Sequence, residues 1–363
     1  MTTTAPAPAT TGITNTLTAS RLPKWAPWAI LAGSWAVAGG VFAIVMLSAG
    51  GGYPIVGAVV FGTVLFNIML FVLSYLVEGG RQARNRLVTS LVVTAFLIAL
   101  IPLLSLVWTV LGNGIARFDP AFFSQSMRNV VGEGGGALHA ITGTLLITGM
   151  ATLISVPVGL LTAIYLVEYG QGPLARAITF FVDVMTGIPS IVAGLFAFAF
   201  FSLITGDPGI RFGFGGAVAL SLLMTPVVVR SSEEMLKIVP NELREAAYAL
   251  GVPKWLTILK VVIPTSIAGI TTGVTLAIAR VIGETAPLLI VAGFTASMNY
   301  DLFNDRMMTL PVFVYTQYST PGTDVQTYLD RAWAAALTLV LIVMALNLFA
   351  RLIARFFSPK LGR

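Results

Sequence analysis

The sequence predicts an all-α integral membrane protein with about eight transmembrane helices, and three observations predict it. First, the 363 residues are 56% hydrophobic and 10% charged, with a mean hydropathy of +0.90, whereas a soluble domain carries roughly 25% charged residues. Second, about eight apolar segments reach the ~20 residues that a helix needs to cross the hydrocarbon core. Third, the basic residues sit in short connections between those segments, which is how membrane chains are oriented. The net charge of +6 is therefore an orientation signal, and no nucleic-acid partner is expected. With no cysteine in the chain, disulfides, thiolate metal sites and cysteine nucleophiles are excluded.

Residues 1–22 are rich in Thr, Ala and Pro and read as a disordered cytoplasmic tail. Residues 23–86 hold an additional N-terminal pair of spans, near Trp25–Ser48 and Tyr53–Val77. The first of these exceeds the about 7 to 15 apolar residues of a secretory signal, so it reads as a retained span. Residues 87–139 comprise a span near Leu87–Leu111 and a long connection from Gly112 to His139. Residues 140–357 form the main membrane domain, with spans near Ala140–Val167, Ile178–Ile204, Gly213–Leu236, Ser266–Phe294 and Ala332–Phe357, and residues 358–363 read as a second cytoplasmic tail.

Most basic residues flank one side of these spans. The other side receives only Arg117, Arg128, Arg211, Arg306 and Arg331, so both termini are expected in the cytoplasm. The long connections Gly112–His139 and Thr295–Arg331 then face outward. The first contains the run Gly132 to Gly136, which reads as a flexible linker. The second carries Tyr300, Phe303, Phe313, Tyr315, Tyr318 and Tyr328, and is expected to lie along the membrane surface or fold over a pore. A nucleotide-hydrolysing loop needs a Gly-Lys pair to hold phosphates. None occurs in the chain, so any ATPase must be a separate subunit.

One long connection faces the cytoplasm, at 240–264. Asn241 is placed to cap a helix over NELREAAYAL, Gly251 suits a left-handed C-terminal position, and Val252 and Pro253 open a second helical segment toward Ile263. This helix, glycine turn, helix arrangement resembles the loop shared by permeases of binding-protein-dependent ABC importers: E-A-A, three residues, G, nine residues, then I, any residue, L-P. Glu245, Ala246, Ala247, Gly251 and Pro264 match it, with Val261 and Ile263 as conservative departures. The resemblance implies that a helix here enters a groove on an ATPase, with Glu245 offering a carboxylate and the two alanines permitting close approach.

Ionisable residues inside spans are functional candidates, because burying them in hydrocarbon is costly. Arg280 and Glu284 stand four apart, which on one helix would put them on a shared face. Pro287 lacks an N–H and frees the carbonyl of Gly283, which suggests a wet stretch facing a pore. Asp183 is expected to pair with Arg176 at the membrane surface. His139, the only histidine, reads as an interfacial residue. No His, Asp and Glu cluster has metal-ligand spacing and no catalytic triad is apparent, so no metal and no cofactor are expected on this chain.

Four further stretches, GTLLITGMATLISVPVGLLTAIYLVEYG from Gly143, GIPSIVAGLFAF from Gly187, SLLMTPVVVRSSEEML from Ser221 and LAIARVIGETAPLL from Leu276, resemble the permeases of phosphate ABC importers of the PstA type. The resemblance implies a type I ABC importer permease core that pairs with a second, PstC-like permease, two ATPase subunits using ATP and Mg, and an extracytoplasmic phosphate-binding protein. It implies a substrate pathway at Arg280, Gly283, Glu284 and Thr285, and an ATPase-docking surface at Glu245, Ala246, Ala247, Gly251 and Pro264. A guanidinium fork suits a phosphate oxygen pair. Glu284 would either hold Arg280 when the path is empty or accept a hydrogen bond from a protonated phosphate oxygen, which sulfate cannot supply. The alternatives are a permease for another oxyanion such as sulfate or molybdate, or a secondary transporter or channel.

Overall fold

The computed structural model describes residues 22–49 and 55–357, so the two expected tails, 1–22 and 358–363, lie outside it except for Leu22. Among the described residues every regular element is helical. The chain divides into two compact units, Met1–Val107 and Trp108–Arg363.

The first unit contains α1 (Ala26–Ala49), α2 (Ile55–Glu78) and the larger part of α3 (Gly80–Gly114). In α1 and α2 small residues let the helices approach: a Cβ on Gly62 would stand 2.7 Å from Trp35, and Phe42 meets Phe61 edge-on at 6.2 Å. Glu78 ends α2 as an almost fully buried carboxylate. It accepts from Arg86 Nε at 2.6 Å and Nη2 at 2.7 Å, from Ser74 Oγ at 2.7 Å and from the Leu22 N–H at 2.8 Å. These donors are what make a buried charge tolerable.

The second unit continues with α4 (Pro120–Ser124), α5 (Leu138–Ile164) with a π turn over Tyr165–Tyr169, α6 (Pro173–Thr186), α7 (Ser190–Thr205), α8 (Gly213–Ile238) and α9 (Asn241–Ala249). After these come α10 (Lys254–Thr257), a π turn over Ile258–Val262, α11 (Ile263–Val281), α12 (Ala286–Val291), α13 (Leu310–Ser319) and α14 (Val325–Phe357). Helix α8 is the axis: 67% of its apolar window is buried, against 28% or less in every other continuous span. Helices α5 and α11 close on it through small residues. A Cβ on Gly159 of α5 would lie 2.7 Å from Val228, and one on Gly273 of α11 would lie 2.5 Å from Ser231. Without a hydrophobic force between helices in lipid, such close backbone approach is what dispersion and packing require.

Among the described residues seven helices are long and apolar enough to cross a membrane, or eight if α6 and α7 are taken together. The straight span expected at Ile178–Ile204 is instead this pair, bent by 110°. Pro189 is the cause, because it removes a helical N–H and forces the residue before it out of helical geometry. The span expected at Ser266–Phe294 also differs: it begins at Lys254 and stops at Val281.

Near the start of α8 the connections pack against the bundle, and one expectation about them is corrected. The connection after α12 folds onto the bundle: Met307, Met308 and Phe313 are buried, the Met307 N–H reaches the Ala292 carbonyl at 3.0 Å, and the Leu310 N–H reaches Thr144 Oγ1 at 2.8 Å. The glycine run is a fixed turn and not a linker. Arg331, fully buried, donates from Nη1 to the carbonyls of Gly132 and Gly134 at 2.8 and 3.0 Å, and Arg117 donates to that of Gly135 at 2.8 Å. Arginine cannot lose its charge, so when buried without a carboxylate it gathers carbonyls, here with Gln317 at 3.0 Å and the Tyr328 ring at 4.4 Å. His139 is buried among protein side chains, 2% exposed and edge-on to Phe313 at 5.5 Å.

Replacing Gly159 with Leu should cost about 1–3 kcal/mol by overpacking the α5–α8 seam, read as a lower thermal midpoint in detergent. Gly149→Leu is the control, because a side chain there meets nothing within 4 Å.

Candidate functional site

The interruption in the seventh span is a built feature. Helix α11 ends with the Ile282 N–H on the Ile278 carbonyl at 3.0 Å, and Glu284 closes a turn onto Val281 at 3.1 Å. Pro287 stands in the first turn of α12, where its missing N–H costs nothing. Small residues of two neighbours receive this short helix. A Cβ on Gly194 of α7 would lie 2.6 Å from Pro287 Cα, and one on Gly215 of α8 would lie 2.6 Å from Val291. Pro287, Leu288 and Val291 are buried as a result. The break is thus held from below by a wedge clamped between α7 and α8.

At this break Arg280 and Gly283 are exposed, while Glu284 and Thr285 are half-buried. Arg280 and Glu284 do not share a helix face, because the helix stops at Val281 and Glu284 lies beyond it. Among the described residues neither forms an ion pair. The expected lock of Glu284 on Arg280 is therefore not present. The arrangement instead presents a guanidinium, a carboxylate and a hydroxyl around an opened backbone. A free guanidinium offers donors to two oxygens of one anion at once.

The predicted helix, glycine turn and helix form at the other end of α11. Helix α9 starts at Asn241 itself, behind an extended Pro240. Asn241 does not cap it; its Oδ1 accepts from Arg244 at 3.3 Å. Gly251 adopts φ +76°, and the N–H groups of Gly251 and Val252 close the helix on the carbonyls of Tyr248 and Ala247 at 2.9 and 3.1 Å. Glu245 and Ala246 are exposed and Ala247 is turned inward. Leu250 is 84% exposed and Trp255 61%, an apolar surface of the kind that marks a contact face.

From Lys254 the helix runs without a gap to Val281. Pro264 cannot donate to the preceding turn, and just ahead of it the chain widens: the Ile263 N–H bonds to the Ile258 carbonyl, five residues back. Thr265 and Ser266 hydroxyls donate to the carbonyls of Val261 and Val262 at 2.6 and 2.8 Å.

Sequence reasoning missed what anchors the loop. Arg244 donates from Nε and Nη2 to Glu168 Oε1 at 3.0 and 2.9 Å, and to the carbonyls of Val239 and Leu236 at 2.6 and 3.0 Å. Lys254 donates to the Glu168 carbonyl and stands over the Tyr169 ring. The Glu168 side chain is 5% exposed and Arg244 12%, and the only hint in the sequence was the isolated acid closing a long apolar run. Asp183 is also reassigned: its partner is Arg230, which also binds Glu233 at 2.8 Å, and Lys237 binds the other oxygen of Glu233 at 2.7 Å. Arg176 instead lines a cleft of about 370 Å³ with Asp183 and Glu233.

Residues 155–363 match the family model described as binding-protein-dependent transport system inner membrane component. The chain belongs to this family and is a multi-pass membrane protein. Among relatives it is 46% identical over 286 residues to the phosphate transport system permease protein PstA 1 of Mycobacterium tuberculosis, covering 78% of this chain and 91% of the relative. It is 47% identical over 274 residues to the PstA of Mycobacterium leprae, covering 74% and 88%, and 39% identical over 281 residues to that of Haemophilus influenzae, covering 77% and 96%. At this identity the chain is of the PstA type within the family. Similar solved structures include an inward-facing MetNI methionine ABC transporter, with a TM-score of 0.48 and 22% identity over 62% of this chain and 95% of that one. A bacterial alginate ABC transporter is similar with a TM-score of 0.49 and 16% identity, over 73% and 96%.

Glu168→Gln breaks a buried pair, a change that costs about 3–5 kcal/mol in such settings. Amide exchange should rise across α9 and stay unchanged along the middle of α8; equal exchange in α9 would mean the anchor lies elsewhere.

Proposed function

We propose that this chain is a permease subunit of an ATP-driven phosphate importer, forming the translocation pathway together with a second, related permease. One observation carries the reading: Arg280, unpaired beside Glu284 and Thr285, lies on the same uninterrupted helix that begins at the α9–Gly251 loop. The names of the PstA relatives supply the substrate. Arg280 binds two oxygens of the anion. Glu284, with no cation to hold, accepts a hydrogen bond from the protonated oxygen of hydrogen phosphate, which excludes fully deprotonated sulfate.

In this reading the α9 end faces the cytoplasm, as do both termini. The exposed face of Glu245, Ala246, Leu250 and Trp255 receives one of two ATPase subunits, which use ATP and Mg. An extracytoplasmic phosphate-binding protein delivers substrate at the opposite end. Because Glu168 ties α9 to α5, and α11 leads from Gly251 to the break, a push on α9 reaches Arg280 through one rigid element.

Arg280→Gln in the assembled complex should lower phosphate uptake by at least about tenfold, the loss expected when one charge-assisted hydrogen bond is removed, while the ATPase still co-purifies. Undiminished uptake would refute the assignment of Arg280. For Glu284→Gln, phosphate and sulfate uptake measured side by side should show reduced discrimination; unchanged selectivity would remove Glu284 from substrate recognition.

A further inference from the structure

A pair of cationic side chains meets at the far end of α12, and the transport reading leaves it unused. Arg211 enters from the segment before α8, and Arg306 from the connection before α13. Both stems cross the backbone of Gly293, which has φ +72° and follows α12. From the point where a Cβ on Gly293 would sit, Arg211 Cδ is 3.0 Å away and Arg306 Cδ 3.3 Å, so the two side chains are neighbours. No side chain larger than a hydrogen fits between them at that position.

The placement is fixed by backbone interactions on both sides. The Phe212 N–H bonds to the Val291 carbonyl at 3.0 Å, and the Met307 N–H to that of Ala292 at 3.0 Å. Asn299 braces the connection by donating to the carbonyls of Asn304 and Arg306 at 2.8 and 3.1 Å.

Among the described residues neither arginine forms an ion pair. Of the carboxylates on the same connections, Asp207 accepts from the Gly209 N–H at 2.8 Å and Asp301 from the Phe303 N–H at 2.8 Å and Asn304 at 2.5 Å, while Asp305 forms no ion pair with either arginine. Arg211 has one structural duty, donating from Nε to the Ile290 carbonyl at 3.2 Å, a favourable place for a cation at a helix C-terminus. That duty does not account for Arg306, whose side chain is exposed. With no carboxylate within salt-bridge reach of either arginine, an anion between the two neighbouring side chains is attracted by both.

The position gives the anion a role. The two connections meet at the start of α8, whereas α9 follows its end, about 39 Å away at 1.5 Å per residue. Helix α12, about 9 Å long by the same measure, leads from this pair to the break that holds Arg280. We propose that Arg211 and Arg306 form an anion-capture site at the entrance of the pathway, which takes a phosphate-class oxyanion before it reaches Arg280. The proposal rests on the phosphate-import reading.

The test uses the whole complex in proteoliposomes with its phosphate-loaded binding protein. ATPase stimulation and phosphate uptake are followed in wild type, Arg306→Gln and Arg306→Lys. For Arg306→Gln, the binding-protein concentration giving half-maximal ATPase stimulation should stay unchanged while phosphate moved per ATP falls by about tenfold; Arg306→Lys should recover part of it. A raised half-maximal concentration with unchanged phosphate per ATP would overturn the proposal and assign the pair to an acidic face of the binding protein. No change in either quantity would leave Arg306 an ordinary surface cation and also overturn it. Wild-type complex that hydrolyses ATP and moves no phosphate would sink the underlying reading instead.

Discussion

A helix in hydrocarbon must satisfy its own backbone, and the structure turns on a place where a long span stops doing so. Between Val281 and Ala286 the ladder is interrupted, and Pro287 prevents it from resuming in register. Such an opening survives only where protein or water covers it. Here α7 and α8 supply the cover with glycines at 194 and 215, which let them close on α12. The exposed Arg280 and the half-buried Glu284 and Thr285 then occupy an edge of that opening. The tight seams of α5 and α11 on α8 keep the surrounding frame rigid, so the opening is a property of the fold and not of a loose loop.

The same logic separates what the sequence made legible from what it hid. Apolar run length located the spans, because crossing a membrane is a requirement on each segment alone. Gly251 was legible for a similar reason: a left-handed turn between two helix-forming stretches has few solutions. What depends on contacts distant in sequence stayed out of reach. Glu168 and Arg244 are 76 positions apart, and Asp183 is 47 from its true partner Arg230, where proximity in sequence favoured Arg176. The glycine run at 132–136 resembles a linker until Arg331 is seen filling it from almost 200 positions away. Pro189 was the avoidable miss, since Gly-Ile-Pro-Ser interrupts an apolar run in a way that local chemistry alone discloses.

The spacing of Arg280 and Glu284 shows how sequence distance alone can mislead about geometry. Four residues apart predicts a shared face only while the helix continues, and it ends one residue after Arg280. Losing the pairing strengthens the functional reading, since a guanidinium tied to a neighbouring carboxylate would have to be released before it could bind an anion. The same pattern recurs elsewhere in the chain. Charges with a structural task, Glu78, Glu168, Arg244 and Arg331, are buried and richly bonded, whereas Arg280 and Arg306 form no ion pair among the described residues.

The wide turn over Ile258–Val262 has a meaning beyond its hydrogen bonds. Relative to an ideal helix it holds one surplus residue, and each residue turns an α-helix by about 100°. Everything downstream is rotated accordingly, so the azimuth of Arg280 is set some twenty residues earlier, beside Pro264. A one-residue deletion there would leave length, composition and hydropathy almost untouched and yet swing the guanidinium to another side of the helix. Alignment gaps at this turn are therefore changes of direction, and chains that share every residue of the break can still aim it differently.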